Sequence, residues 1–526
     1  MDFTPLDVKS SYSLLKSPTR ISDLVTTAKE RGYKALALTD ENVLYGAVEF
    51  YNAAKKAGIK PIFGLRLVVA LNETDGTKLD LVFLAKNQRG YQHLMDLSTL
   101  QQTRKDKKAP LTVAQISPLL NELFIIIPPQ STVFSVLAQP TSILTELANL
   151  GDDDSVLLGV NSRLDDVQID TLQQLSKQLS LPLVGTSPVD YLNANDLFAS
   201  RVLQAIDAGV ELKDPTIEAE RRGQHYLHSK EQVIQDYKAK GLSAAAQKTV
   251  EVATLCNVEL QFRAPVLPHF KNQAGISSQQ YLRSLCIQGL KKRRVAPGKT
   301  IQQYQERLAM ELKIIHEMGF DDYFLIVWDV INFAHQQKIT TDPGRGSAAG
   351  SLVAYALAIT EVDPLQYDLL FERFLNPERA QMPDIDLDIP DNRRDEVLQY
   401  VHQKYGHQRV AQIITFGTLA AKQVVRDVSR VFNLPRYDMQ RLIDALPHGL
   451  HVTLKDALNE SQQLKNLLDD NPKFRLLIQV AQQLEGLPRH YSIHAAGIVL
   501  SEQPLHEVVP LQDGSDGLLM TQFAKD

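Results

Sequence analysis

Up to about residue 200, apolar runs rich in Val, Ile and Leu alternate with segments of helical periodicity, and this alternation restricts the possible folds more than any other feature of the chain. Residues 33–39 read as a strand, 45–56 as an amphipathic helix closed by Gly58, 59–71 as extended, 79–85 as a strand and 91–98 as a helix. Apolar runs recur at 123–127, 156–160 and 181–185, with helical segments near 142–150 and 169–179 between them. Strands separated by crossover helices imply a mainly parallel sheet, open or closed into a barrel. Residues at the carboxyl ends of such strands then meet at one face.

The remainder reads differently. Residues 195–256 are mostly helical, and Arg263-Ala264-Pro265-Val266-Leu267-Pro268-His269-Phe270 lacks periodicity and marks a linker. Beyond it, a helix over 302–318 places Leu308, Leu312 and Ile315 on one face and ends at Gly319. A more apolar helix over 323–335 carries the single tryptophan, Trp328, and 437–487 reads as a small helical subdomain. At 526 residues the chain exceeds what one core can organise, so two to four domains of ~100–200 residues each are expected.

With 44% hydrophobic and 22% charged residues, the composition is that of a folded protein. No apolar run approaches the ~20 residues needed to span a bilayer, and Met1-Asp2-Phe3-Thr4 does not begin a secretory signal, so a cytoplasmic protein without membrane contact is expected. Cys256 and Cys286 are too few for a disulfide framework or a zinc site and read as core residues. The net charge of -6 argues weakly against nucleic-acid binding, which draws on Lys and Arg. Two local clusters run the other way: Lys291-Lys292-Arg293-Arg294, and Arg393, Arg394, Lys404, Arg409, Lys422, Arg426 and Arg430. Taken singly, each is a solvated helix face.

Two motifs carry chemistry. Asp342-Pro343-Gly344-Arg345-Gly346-Ser347-Ala348-Ala349-Gly350-Ser351 follows one helix and opens another over 348–359. Its glycines let backbone amides approach an anion, and a phosphate suits such a turn. Ser347 could equally cap the new helix. The dinucleotide fingerprint is met only loosely, since no strand precedes the loop, and no Gly-Lys-Ser/Thr makes it a Walker loop. The second motif, Pro383-Asp384-Ile385-Asp386-Leu387-Asp388-Ile389, alternates acid and apolar residues; in a strand, the three aspartates share one face. Same-face carboxylates roughly 6–7 Å apart can converge on metal ions, and hard oxygen donors select Mg²⁺ or Mn²⁺. A protective edge strand is the bland alternative. An EF-hand fails because Ile389 and Asp395 stand where Gly and Glu are needed. A phosphate cradle beside a carboxylate pair is what nucleotidyl transfer requires.

These motifs resemble one family. Gly344-Arg345-Gly346-Ser347-Ala348-Ala349-Gly350-Ser351, Phe371-Glu372-Arg373-Phe374-Leu375-Asn376-Pro377-Glu378-Arg379, Pro383-Asp384-Ile385-Asp386-Leu387-Asp388, Ile414-Thr415-Phe416-Gly417-Thr418 and His494-Ala495-Ala496-Gly497-Ile498-Val499 form five collinear blocks similar to the palm of bacterial DNA polymerase III alpha subunits. The resemblance implies an α/β chain in which a distorted (βα) barrel of the polymerase and histidinol phosphatase (PHP) type precedes a polymerase-beta-like α+β palm with an inserted helical thumb. The implied domains are 1–205 PHP, 206–275 helical extension and linker, 276–430 palm, 431–488 thumb and 489–526 palm again. It further implies that Asp386 and Asp388 hold catalytic Mg²⁺ or Mn²⁺ with Asp384 in support, and that Gly344, Arg345, Gly346 and Ser347 bind the nucleotide. Arg379, Lys422, Arg426, Arg489, His490 and His494 would line the DNA and nucleotide surface. The implied partners are primer-template DNA, dNTPs, and the sliding clamp and other replisome subunits through regions beyond Asp526. Ile389 and Asp342 depart from the family's common Phe and Gly. The family's third catalytic aspartate follows the segment matching Thr521-Gln522-Phe523, so the 526-residue chain alone is expected to be inactive as a polymerase.

The PHP resemblance is degenerate at its metal site. A His-x-His-Ser/Thr-x-Tyr-Ser motif reads Asp7-Val8-Lys9-Ser10-Ser11-Tyr12-Ser13, an Asp-His pair reads Asp40-Glu41, a Glu becomes Arg66 and a Val-His-Tyr becomes Val189-Asp190-Tyr191. No metal is expected there; instead Lys9 and Arg66 should pair with Asp7, Asp40 or Asp190. Stoichiometric zinc or manganese in this domain would overturn that expectation. A non-catalytic nucleotide- or DNA-binding scaffold and a PHP-type phosphoesterase are the rival readings.

Overall fold

The computed structural model describes residues 2–72, 78–131, 140–148, 150–152, 154–262, 266–379, 382–449, 452–515 and 517–525; residues 263–265 of the expected linker lie outside these. Two units emerge: Met1–Phe262 with Gln412–Gly497 and His506–Asp526, and Arg263–Ala411 with Ile498–Leu505. Among the described residues no helix is long and apolar enough to cross a membrane.

The first unit is built on the expected alternation. Its strands are β1 (Ala35–Leu38), β2 (Lys60–Ala70), β3 (Lys78–Ala85), β4 (Leu111–Thr112), β5 (Leu123–Ile127), β6 (Val156–Val160) and β7 (Leu183–Gly185), with sheet order β1-β2-β3-β5-β6-β7 and β4 beside β2. Pairing is parallel except at β3, which runs antiparallel to both β2 and β5. The link from β2 to β3 spans residues 71–77, too short for the helical crossover that a parallel pair needs. The helices Ala47–Ala57 and Asp166–Leu179 are crossovers of the expected kind, and Gly58 closes the first in the left-handed region at φ 75°. β5 and β6 are buried along their whole length, as strands covered on both faces must be.

Residues 5–9 then join the two edges of this sheet. The Pro5 and Val8 carbonyls accept from Ala37 in β1 and Thr39 just after it, while Lys9 N–H donates to the Val189 carbonyl and Val189 N–H, past β7, donates to the Asp7 carbonyl. Asp7, Lys9, Asp40, Arg66 and Asp190 are thereby gathered at one end of the curled sheet.

Residues 195–256 form the helices Leu197–Ala208, Pro215–Glu220, Lys230–Ala239 and Ser243–Leu255. The stretch expected to be helical over 437–487 contains Arg436–Asp444, Leu454–Glu460, Gln462–Asp470 and Pro472–Leu484. Phe198, Val202, Val424, Val428, Leu442, Phe474 and Leu477 make its core with the helices Leu197–Ala208 and Ala421–Val431. A four-stranded sheet uses β8 (Val410–Thr418), β9 (Pro488–Leu500), β10 (Leu511–Asp513) and β11 (Leu519–Thr521) in the order β10-β11-β8-β9.

In the second unit, Ile301–Glu317 starts with a capping box between Thr300 and Gln303, and Asp321–Gln336 follows. Together with Ser278–Leu290 they enclose Leu282, Cys286, Leu308, Ile315, Phe324 and Leu325. Trp328 packs edge-on against Phe270 and Tyr281. Cys256 and Cys286 are buried and unpaired.

Candidate functional site

The acidic segment departs from its expected form: residues 382–390 belong to no strand or helix. Their alternation survives without a ladder. Asp384, Asp386 and Asp388 are exposed, whereas Ile385, Leu387 and Ile389 are half-buried, with Leu387 packed against two apolar clusters. Side-chain burial therefore sets the register that hydrogen-bonded neighbours set in a sheet. The segment is pinned at two points, Ile385 N–H donating to the Tyr323 hydroxyl at 3.2 Å and Asp342 N–H to the Asp388 carbonyl at 3.3 Å. Burial, with the Asp384 and Asp386 carboxylates nearby, pushes the Tyr323 hydroxyl up to about 12, so it stays neutral.

The glycine loop also differs from expectation. A 3₁₀ turn, Gly346–Gly350, comes first, and the α-helix is only Leu352–Ala356. Glycine at both ends of the turn disfavours α-helix there. Ser347 caps nothing; Ser351 does, accepting from Ala354 N–H at 3.2 Å. Fully buried Glu311 occupies the helix start, accepting from the amides of Leu352 and Val353 at 3.0 Å each. The amides of Gly346 and Ser347 have no hydrogen-bond partner among the described residues.

Turn and acidic segment meet at Arg345. Its Nε lies 3.2 Å from Asp386 Oδ2 and its Nη1 3.7 Å from Asp388 Oδ1. Gly346, at φ 71°, is close enough that a Cβ there would stand 3.9 Å from Asp386 Oδ2. The cleft lined by Gly344, Arg345, Ala348, Asp386 and Asp388 encloses about 10 Å³, room for about one water. The guanidinium lies between the two carboxylates, where a cation is drawn by both. Among the described residues no three His, Cys, Asp or Glu side chains converge on a metal position. Two half-exposed carboxylates sharing one cation nonetheless form an oxygen-donor pair that suits a hard divalent ion, with water or phosphate completing its shell.

Asp384 is exposed on the same segment, away from Arg345's pairs; the turn Pro377–Arg379 is described, but the Arg379 side chain is outside the described set. Lys422 and Arg426 sit on Ala421–Val431 in the first unit. Arg489 is held by buried Asp427 at 3.0 Å, the His490 ring packs on Gly417, and His494 Nδ1 accepts from the amides of Ala496 and Gly497.

At the end of the curled sheet, cations and carboxylates interleave. Lys9 Nζ lies 2.9 Å from Glu41 and 3.1 Å from Asp190. Arg66 Nη1 donates to both Asp7 oxygens at 2.7 and 2.9 Å, and its Nε and Nη2 grip Asp80 at 3.0 and 2.5 Å. Among the described residues Asp40 pairs with no cation; the Ser10 amide and the Ser10 and Ser13 hydroxyls donate to it at 2.6–2.8 Å, and burial raises its carboxyl against them. Burial opposes ionisation of Asp190 too, but the His225 hydrogen bond at 2.9 Å and the charge of Lys9 hold it down at about 2. Asp80 and His225 were not anticipated. Asp80 was visible as the lone acid in an apolar strand; His225 carried no signal.

Residues 280–526 match the family model described as bacterial DNA polymerase III alpha NTPase domain, and residues 5–128 match the PHP domain model. The chain is 42% identical to DNA polymerase III subunit alpha of Bacillus subtilis (strain 168), covering 100% of this chain and 47% of that protein. Identity to the Halalkalibacterium halodurans subunit is 42%, over 99% of this chain and 46% of the relative, and to the Borreliella burgdorferi subunit 37%, over 100% and 47%. Among solved structures, an amidohydrolase from Chromobacterium violaceum aligns at 12% identity and a TM-score of 0.26, covering 36% of this chain and 87% of its own. The chain spans about half the length of the curated relatives it matches. With both family models and whole-chain relatives in agreement, the chain belongs to the family of bacterial DNA polymerase III alpha subunits and carries that family's PHP domain.

Proposed function

We propose that this chain carries the nucleotide- and metal-binding part of a replicative DNA polymerase, which extends a DNA primer on a template by nucleotidyl transfer from dNTPs. The observation that carries this reading is the sharing of one guanidinium by Asp386 and Asp388 beside the Gly346–Gly350 turn. Asp386 and Asp388 would hold Mg²⁺ or Mn²⁺, with Asp384 in support. When bound, the divalent ions supply an activated attacking hydroxyl and charge neutralisation at the leaving pyrophosphate. The free amides of Gly346 and Ser347 donate to phosphate oxygens, with Gly344 shaping the turn. Arg345, which pairs with both carboxylates here, would release them to a bound divalent ion and pair with the triphosphate instead.

In the same reading, residues 276–430 and 489–526 form the palm and 431–488 its thumb, and Arg379, Lys422, Arg426, Arg489, His490 and His494 face DNA or nucleotide. The protein acts in the cytoplasm with the sliding clamp and other replisome subunits. In the PHP domain, 1–205, Lys9 and Arg66 stand in for metal ions, a reading supported by their pairs with Glu41, Asp190, Asp7 and Asp80. Primer extension by an active polymerase preparation containing this chain should fall on the order of 10³-fold with Asp386→Ala or Asp388→Ala. Retention of most activity by either variant counts against the assignment.

A further inference from the structure

Glu311 is an acid where helical periodicity calls for an apolar residue. On Ile301–Glu317 it lies on the buried face with Leu308 and Ile315, and its side chain is 0% exposed. A buried carboxylate is tolerated only when its hydrogen bonds are made. Oε1 accepts from Leu352 N–H at 3.0 Å and Arg307 Nε at 2.7 Å; Oε2 accepts from the Ser351 hydroxyl and Val353 N–H, both at 3.0 Å. Arg307 Nη2 reaches on to the carbonyls of Gly350 at 3.0 Å and Leu369 at 3.2 Å. Gly350 is itself pressed so closely on Leu370 that a Cβ would fall 2.8 Å from that carbonyl oxygen.

One side-chain pair thus grips Gly350, Ser351, Leu352 and Val353, the residues that end the 3₁₀ turn and begin the helix. Two consequences follow for an anion at this corner. The helix amides are already taken, so they offer no competing seat. The turn is anchored at its far end, so the free amides of Gly346 and Ser347 belong to a backbone held in place beside Asp386.

We propose that Glu311, acting with Arg307, is a positioning residue for the nucleotide triphosphate: it fixes the Gly346–Gly350 turn and closes the helix start to phosphate. This rests on the reading of the site as a nucleotide site. The test is Glu311→Gln in the 526-residue protein, which keeps the shape but turns an amide NH₂ toward N–H donors. Two titrations are compared: dATP with Mn²⁺ followed by fluorescence competition, and Mn²⁺ alone followed by paramagnetic resonance.

The expected result is a dATP Kd raised about tenfold or more, with Mn²⁺ binding unchanged within about twofold. A merely structural role would shift the melting temperature without separating the two affinities. If Glu311→Gln fails to fold, Ser351→Ala, which removes one hydroxyl from the carboxylate, should still raise the dATP Kd roughly threefold. Wild-type dATP affinity in folded Glu311→Gln, or in Ser351→Ala where that is the variant measured, overturns the inference. So does an equal loss of dATP and Mn²⁺ binding. Absence of dATP binding by the unmodified protein overturns the nucleotide reading and this inference with it.

Discussion

Replacing Arg66 with methionine keeps the length of the side chain and removes the cation that two acids share. Arg66 is 7% exposed and Asp7 1%, and the guanidinium makes four hydrogen bonds to Asp7 and Asp80. Removing one partner of a buried pair costs ~3–5 kcal/mol, because the remaining charge stays buried. The Asp80 side chain is 27% exposed and regains some water, which places the expected loss at about 3–4 kcal/mol at neutral pH.

The pH dependence has a definite sign. Burial raises the Asp80 carboxyl against the lowering charge of Arg66, so without the guanidinium it rises further above its unfolded value and the folded variant binds a proton more readily than the unfolded chain. Its deficit is therefore full at neutral pH and shrinks as the pH falls through the carboxylate range. Asp7→Asn combined with Arg66→Met should recover about 1–2 kcal/mol, since only the partly exposed Asp80 is then left without its cation. Native-state hydrogen exchange of peptides from β2 and β3 reads this unit directly. Fluorescence of Trp328, in the second unit, serves as the control that should not move. A loss below about 1 kcal/mol at neutral pH, or one that deepens in acid, would refute the reasoning.

Asp190, held at about 2 against an ordinary 3.8, should contribute roughly 2 kcal/mol above pH ~4, lost as pH falls toward 2; acid unfolding of Asp190→Asn followed by circular dichroism should lack that component. Gly346→Ala forces a side chain into φ 71° near Asp386, at a local cost of ~1–2 kcal/mol, and should weaken dATP binding several-fold while lowering the melting temperature by only a few degrees; wild-type affinity would count against a phosphate-holding turn. Arg345→Ala should raise Mn²⁺ affinity up to about fivefold, the limit for an exposed pair of ~0–1 kcal/mol, yet lower that for dATP; a fall in Mn²⁺ affinity by calorimetry would contradict the exchange of partners.

Much of the first unit was legible because strand and helix periods are local properties of the chain. The strands at 123–127 and 156–160 and the helix closed at Gly58 follow from side-chain pattern and one glycine. The direction of β3 did not, since it depends on the length of the link to β2 rather than on strand composition. In the acidic segment, alternation correctly gave the faces of Asp386 and Ile385. Strand assignment requires backbone partners, which side-chain spacing does not encode.

The ion pairs show the same boundary. Lys9 with Asp190 and Arg66 with Asp7 were expected from residues that replace a metal-binding pattern, whereas Asp80 reaches Arg66 through cross-strand register. Asp40 instead is satisfied by two serines earlier in the chain, Ser10 and Ser13. Glu311 was visible as an acid on an apolar helical face, but its partners lie some forty residues onward, at Ser351, Leu352 and Val353.

The most direct measurement is a Mn²⁺ and dATP titration of the 526-residue protein beside its Asp386→Asn, Asp388→Asn double variant. Both ligands should bind the unmodified protein with mutual enhancement, and the double variant should lose Mn²⁺ binding and at least about tenfold in dATP affinity. Equal binding of Mn²⁺ and dATP by the two proteins would contradict the claim that these carboxylates hold the metal for a nucleotide seated at the Gly346 turn.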